Sequence, residues 1–555
     1  MKKLLLFLLF AVSAHAQQPL DWGDQHNGTY KNPVLNADFS DPDVIRVGDS
    51  YYMVASDFHF LGMQVLESKD LVNWQIISQI YDRFDLSGWD SNQHYAGGSW
   101  APAIRFHDGR FYVYFCTPEE GLFMSTSEHA AGPWTPLHCV KKVEKWEDPC
   151  PFWDDDGQAY LGRSQHGAGP IIIHRMTPDG RQLLDDGVTV YTGPVAEGTK
   201  FLKRNGYYYL IIPEGGVCCG WQTVLRSRNI YGPYEKRVVM EQGSTSINGP
   251  HQGALVDTPS RSGEDSQWWF LHFQETHPLG RVVHLQPARW KDDWPLIGVD
   301  IDGNGIGEPV AVWTTPQTTG NSSPSSNSSQ SRYTSQSRYS SPSRNSSNTC
   351  SSGMPCQLSD DFSAGPLYWA GQHQRSLALP WQWNHNPVDT AWSLTERDGW
   401  LSLHALPADN LKASRNMLTQ KTIGYESEAT VRVDCSALQE GDHAGLLCTG
   451  KQFMGVGVCR QAGKLLFYLE NDGVRTPITP CKQKTVYLRV TIDCRRNTHQ
   501  FAVSNDGKQY TPVGDPFPLR MGYWKGSRIG LFSYNTTGTN RGKALFDFFH
   551  YIIKK

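Results

Sequence analysis

The chain has 555 residues, enough for two or more domains, and carries a formal net charge of −4. That balance gives no electrostatic case for a nucleic-acid partner. Nineteen Trp, 24 Tyr and 23 Phe stand beside 52 Gly and 33 Pro, a turn-rich and aromatic-rich mixture that points to β architecture, often with sugar as the ligand.

The first residues, MKKLLLFLLFAVSAHAQ, place two lysines before a short apolar run and small residues ending at Ala14-His15-Ala16. This is the pattern of a secretory signal peptide over residues 1–16, with cleavage expected before Gln17. The run is too short for a membrane span, and no later segment approaches the ~20 apolar residues a spanning helix needs. No cysteine follows the cleavage position, so a lipid anchor is not expected there. The expectation is an exported protein, periplasmic or secreted. Twelve cysteines permit disulfides in such a compartment, but no Cys/His spacing suits zinc.

Residues 17–314 read as one long β region with an internal repeat. A turn followed by an aromatic-rich strand recurs as GDSYYMVAS, HDGRFYVYF, DDGQAYLG, RNGYYYLII and EDSQWWFLHF. Asp-Gly and Asn-Gly pairs favour tight hairpins because both residues tolerate positive φ. The spacing, roughly 50 residues, is blade-sized, and SKDLVNW, AAGPWTP and NIYGPYE echo one another as outer strands. Five repeats predict a five-bladed β-propeller. Counting back eight residues from Asp49, Asp108, Asp156 and Asn205 reaches Asp41, Trp100, Asp148 and Glu197. His251 precedes the fifth hairpin at a longer offset. Innermost strands line a propeller's channel, so residues in one phase are expected to converge near its axis. Converging carboxylates cannot all ionise cheaply, which suits glycoside hydrolysis: one acid stays protonated while another carboxylate acts on water or the anomeric carbon. Trp100 would supply an apolar wall for a sugar face.

Residues 315–357 are mostly Ser, Asn, Gln and Thr, which cannot form a core and read as a linker. Cys350 and Cys356 would staple the entrance to the next domain. From 358 to 555 short alternating strands resume. In VYLRVTID, Val486, Leu488, Val490 and Ile492 face one way, as in a half-buried strand of a sandwich.

These motifs resemble glycoside hydrolase family 43. NPVLNADFSDPDVIRVGDSYYMVAS is similar to that family's first blade, which implies Asp41 as general base. SWAPAIRFHDGRFYVYF resembles the second, with Trp100 in the substrate site. EDPCPFWDDDG resembles the third, implying Asp148 as the residue that modulates the acid's pKa. AEGTKFLKRNGYYYLIIPEGG resembles the fourth, implying Glu197 as general acid. His251 falls where the family often has a central histidine, sometimes near calcium, so the resemblance implies a substrate contact or a calcium ligand. No other cofactor is expected. Arg281 matches a substrate-contacting arginine. The tail, with PWQWNHNPVDTAWSLTER, resembles the concanavalin-like sandwich of the family's β-xylosidase and arabinofuranosidase members. The expected fold is all-β, a five-bladed propeller followed by a β-sandwich. The expected activity is exo-acting, inverting release of xylose, arabinofuranose or both from plant hemicellulose. A non-catalytic carbohydrate-binding protein is the alternative, opposed by the three in-phase acids.

Several residues carry plainer readings. Asp38 and Asp43 share Asp41's stretch, and Asp43 lies on Asp41's face of an extended strand. Asp154, Asp155 and Asp156 read as turn residues, Glu214 as a structural strand-end carboxylate, and Trp381 and Trp383 as sandwich core. Val217-Cys218-Cys219-Gly220-Trp221 departs from the family pattern, with Cys218 and Cys219 as two buried thiols or a vicinal disulfide.

Overall fold

The computed structural model describes residues 21–318 apart from 87, 91–93 and 260–265, then 359–363 and 377–554 apart from 539–541. The expected signal peptide, nearly all of the linker, and Cys350 with Cys356 lie outside the described residues.

Five sheets of four antiparallel strands follow one another in the first half. Their first strands are Ser40–Val47, Trp100–His107, Trp146–Trp153, Lys200–Arg204 and His251–Asp257. Each of these packs beside the next and the fifth packs beside the first, so they form the inner wall of a closed ring. The five-bladed propeller is therefore as the repeats predict. Two-residue turns at 48–49, 108–109 and 205–206 join the first and second strands of blades one, two and four. Asp108 and Asn205 have φ of 46° and 51°, the conformation for which Asp-Gly and Asn-Gly are suited. Blade three departs, joining its strands through the five residues 154–158.

Each blade takes its four strands from one continuous stretch of chain, so the ring closes by other contacts. Leu35 bridges Val283, and Asn32 Nδ2 donates to the carbonyls of Leu285 and Val310, both at 2.8 Å. A small sheet of Gly23–Asp24, Thr29–Lys31 and Val312–Thr314 ties the two ends outside the ring.

The second half is a sandwich of an eight-stranded and a seven-stranded sheet. In the strand Thr485–Asp493 burial alternates as the sequence pattern predicts, with Val486, Leu488, Val490 and Ile492 facing inward. Trp381 and Trp383 are buried as expected.

The sandwich docks on blade one and on the neighbouring turn of blade five. Leu61 N donates to Trp383 O at 2.9 Å, and Gln382 Nε2 donates back to Leu61 O at 3.0 Å. Asn386 pairs with both backbone groups of Phe84, and Ser527 N donates to Pro278 O at 2.8 Å. Buried in the same seam, Asp57 faces Lys421 and Arg528 of the sandwich.

Candidate active site

In every blade the inner strand carries a bulge near its start, and the site is built from those bulges. The ladder skips between Ser40 and Asp43, Trp100 and Ala103, Glu147 and Cys150, and His251 and Gly253. In blade four Lys200 opposes Ile211 while Glu197 N reaches Pro213 O, the same offset. The residue in the bulge has positive φ each time: Asp41 at 53°, Ala101 at 33°, Asp148 at 56°, Gly198 at 64° and Gln252 at 30°. Four of these are not glycine, so each stores about 1–3 kcal/mol of backbone strain, a cost that concentrates at functional sites. A bulge turns two successive side chains toward one place, which re-aims them at the channel mouth.

This register corrects the phase read from sequence. Trp100, Glu197 and His251 do share one position, but Asp41 and Asp148 stand one residue later, in the bulge itself. Their partners in phase are Ser40 and Glu147. The count failed because the first turn is Gly48-Asp49, beginning one residue before Asp49, and because the third turn is longer. Glu147 is thus a site residue that sequence reasoning missed. A signal was present: Pro42, Pro102 and Pro149 each follow the bulge residue, and a proline inside an inner strand fits only where the ladder is interrupted. Aligning Ser-Asp-Pro, Trp-Ala-Pro and Glu-Asp-Pro places Glu147 with Trp100.

Two aspartates are gripped alike. Ser56 Oγ donates to Asp41 Oδ2 at 2.6 Å, and Ser164 Oγ donates to Asp148 Oδ2 at 2.9 Å. Asp148 Oδ2 also accepts from Gly198 N at 2.7 Å, which ties blade three to blade four beside Glu197. Arg281 Nη1 donates to Asp41 Oδ1 at 2.8 Å, neutralising and orienting that carboxylate. His251 Nε2 lies 2.7 Å from Glu197 Oε1.

Glu147, Asp148 and Glu197 each bring a carboxylate oxygen within 4.8 Å of the others. Burial, and then the charge of Glu197, pushes Asp148 above the usual carboxylate range, against the pull of the Gly198 N–H. Burial, then Asp148 and Glu197, pushes Glu147 up as well. Glu147 and Asp148 therefore hold protons at pH values where exposed carboxyls have lost theirs, while Asp41 is paired with Arg281.

The plainer readings are informative. Asp43 points away from Asp41 because the bulge intervenes: it is fully buried and accepts from Ile104 N at 2.8 Å and Arg105 Nη1 at 2.5 Å. Asp38 caps Arg281 N at 2.9 Å. Glu214 is structural, bound by Lys236, Thr223 and Tyr191. Asp154 accepts from Lys203 and Tyr208, and Asp156 closes its turn on Gln158 N. Cys218 and Cys219 are exposed free thiols, neither buried nor bridged, in the loop that joins the second and third strands of blade four.

The second missed contribution comes from the sandwich. Trp524, 45% exposed, meets Trp100 edge-on at 5.2 Å and lies 6.1 Å from Phe58. His166 packs on Trp100 at 5.0 Å. Beside Trp524 a cavity of about 310 Å³ is lined by Ala96, Glu275, His277, Met521 and Tyr523, so the rim of the site spans both domains. Nothing in the sequence links Trp524 to Trp100; only docking brings them together.

His251 directs one nitrogen at Glu197 and leaves Nδ1 buried without a protein partner, so it could offer a single nitrogen to a calcium ion, which takes about six to eight ligands, chiefly oxygens. Among the described residues, the two groups that could hold a metal are His94 with Glu119 and Glu120, and Glu147 with Asp148 and Glu197; neither includes His251.

A profile described as Glycosyl hydrolases family 43 matches residues 30–295, and one described as Beta xylosidase C-terminal Concanavalin A-like domain matches 373–552. Over 512 residues the chain is 58% identical to a putative beta-xylosidase of Xylanibacter ruminicola, spanning 92% of this chain and 88% of that one. It is 34% identical over 576 residues to a beta-xylosidase of Formosa agariphila, spanning 93% and 89%. Among solved structures, a bifunctional GH43-CE protein of Bacteroides eggerthii superposes with TM-score 0.78 at 28% identity, over 95% of this chain and 64% of that one. The GH43 BlXynB protein of Bacillus licheniformis gives 0.75 at 25% identity, over 95% and 100%.

Proposed function

The chain belongs to glycosyl hydrolases family 43, and on that premise we propose that it removes terminal xylose, arabinofuranose or both from plant hemicellulose by single-displacement, inverting hydrolysis. The protein is a glycosidase. Xylose is the favoured sugar, because the relatives from Xylanibacter ruminicola and Formosa agariphila are named for it. The observation that carries the reading is the division of carboxyls into two settings: Asp41 paired with Arg281, and Glu197 within a close cluster of carboxyls beside His251.

Asp41 acts as the base. Arg281 and Ser56 occupy one oxygen each and fix the carboxylate's plane, leaving it to take a proton from the attacking water. Glu197 acts as the acid that protonates the departing oxygen, oriented by His251, with Asp148 as the modulator beside it. Trp100, backed by Trp524 and His166, walls the sugar. A polymeric substrate agrees with export on the pattern of residues 1–16. The non-catalytic alternative leaves the costly cluster of acids without a use.

Glu197→Gln tests the assignment. Loss of the acid is expected to cut turnover on xylo-oligosaccharides by about 10²–10⁴-fold and to spare aryl glycosides with good leaving groups, whereas Asp41→Asn is expected to abolish both. Equal losses in Glu197→Gln on both substrate types would refute the role of acid.

A further inference from the structure

We propose that Glu147 is a further working residue of this site, a positioning residue that sets the alkaline limit of activity by completing a three-carboxyl cluster with Asp148 and the acid Glu197. The inference rests on the acid role proposed for Glu197.

Geometry carries it. Glu147 holds in blade three the register position that Glu197, Trp100 and His251 hold in theirs. Its oxygens are placed from both sides. Ala168 N donates to Oε1 at 3.1 Å, and His166 Nδ1 lies 3.4 Å from Oε2. Its other charged neighbours are Asp148 on its own strand, Glu197 at the entry to blade four, and Asp41 across the mouth. Lys200 is the cation that faces Asp148, and Arg281 is spent on Asp41. Among the described residues, no arginine or lysine is bonded to Glu147. The buried carboxyl therefore faces like charges on three sides, with one imidazole as its outward partner.

Carboxyls this close titrate as one unit, and the protons leave in steps that belong to the cluster rather than to one residue. Each charge formed makes the next harder to form, so the last proton leaves at higher pH than it would from a pair. Catalysis needs a proton in the cluster for the leaving oxygen. A third carboxyl accordingly extends the pH range over which the acid is loaded, without touching the sugar.

The test compares pH profiles of kcat/KM on xylobiose for wild type, Glu147→Gln and Glu147→Asp. Removing one member leaves the remaining carboxyls with one fewer like charge. The alkaline limb of Glu147→Gln is expected to move down by about one pH unit, a tenfold loss at a pH on the limb and little change below it. Glu147→Asp, which keeps the charge, should restore the limb. On an activated aryl xyloside, whose departure needs no acid, the limb should stay in place. If the glutamine variant does not fold, Glu147→Asn against Glu147→Asp repeats the comparison at smaller volume.

An unshifted limb, or a loss equal at every pH, overturns the proposal. The two failures are distinguishable. If Glu197→Gln loses nothing on xylobiose, the acid assignment is wrong. If it behaves as expected and Glu147→Gln leaves the limb unmoved, only this inference falls.

Discussion

Asp57→Asn is the substitution that most directly probes how the two domains share the site. Asp57 Oδ1 lies 3.4 Å from Lys421 Nζ and 3.5 Å from Arg528 Nη2, and its carbonyl accepts from Lys525 Nζ at 3.3 Å. All four residues are buried. One carboxylate thus faces three cations, with Asp38 the other acid they feel. Removing one partner of a buried pair costs about 3–5 kcal/mol, because the charge left behind is uncompensated. Burial already lowers Lys421 and holds Lys525 well below its ordinary value. With Asp57 gone, these lysines shed protons rather than stay charged, which limits the loss to the lower end, about 3 kcal/mol. At about 2–4 °C per kcal/mol for domains of this size, the transition should fall by about 6–12 °C.

Calorimetry across pH separates this cause from lost packing. A lysine whose folded pKa lies below its unfolded one holds fewer protons when folded, so stability rises as pH climbs between the two values. In Asp57→Asn the folded lysine values fall further and that recovery begins earlier. The deficit against wild type should therefore shrink as pH rises from 7 toward 10, without vanishing, since Arg528 keeps its charge over most of that range. A transition within about 1 °C of wild type at pH 7, or a deficit that grows with pH, would refute the reasoning. Because Lys525 follows Trp524 in the chain, KM should also rise below the melting range.

Trp524→Ala should raise KM by about 2–10-fold, the worth of an aromatic contact of about 0.5–1.5 kcal/mol, with the thermal transition little changed; an unaltered KM would remove Trp524 from the site. Proton NMR of the first sugar released should show the anomer opposite to the substrate's, as the role of Asp41 as a base acting on water requires. Initial retention of configuration would overturn Asp41 as a base.

The architecture was legible because its cues are local. Asp-Gly and Asn-Gly turns sit between aromatic strands at a blade-sized spacing, and inward residues alternate in Thr485–Asp493. Asp41, Asp148 and Glu197 were legible through motifs that surround them. The docked rim was not, because Trp524 and Trp100 are separated by most of the chain and meet only through the seam at Asp57, whose charges look like ordinary surface residues in sequence. Cys218 and Cys219 were misjudged for a related reason: cysteine is usually buried, and this pair stands in a loop whose path depends on the neighbouring strand.

The bulge explains both what the counting found and what it lost. Alternation along a strand assigns one face to every second residue, so by that rule Glu147 and Asp148 should point apart and only one should reach the channel. A bulge suspends the rule for one step, and five inner strands suspend it at one level. The glycine that usually announces positive φ is present only in blade four, at Gly198; elsewhere aspartate, alanine and glutamine accept the strain. What offsets that strain is visible in the grips on the side chains: Ser56 on Asp41, Ser164 and Gly198 N on Asp148. The same Ser56 Oγ accepts from Ala101 N at 2.6 Å, so the bulge of blade two is fastened to the base of blade one. Asp41 is thereby held by its own blade and by Arg281 of blade five, and Asp148 by its own blade and the next, so a site assembled from separate repeats is fastened across them.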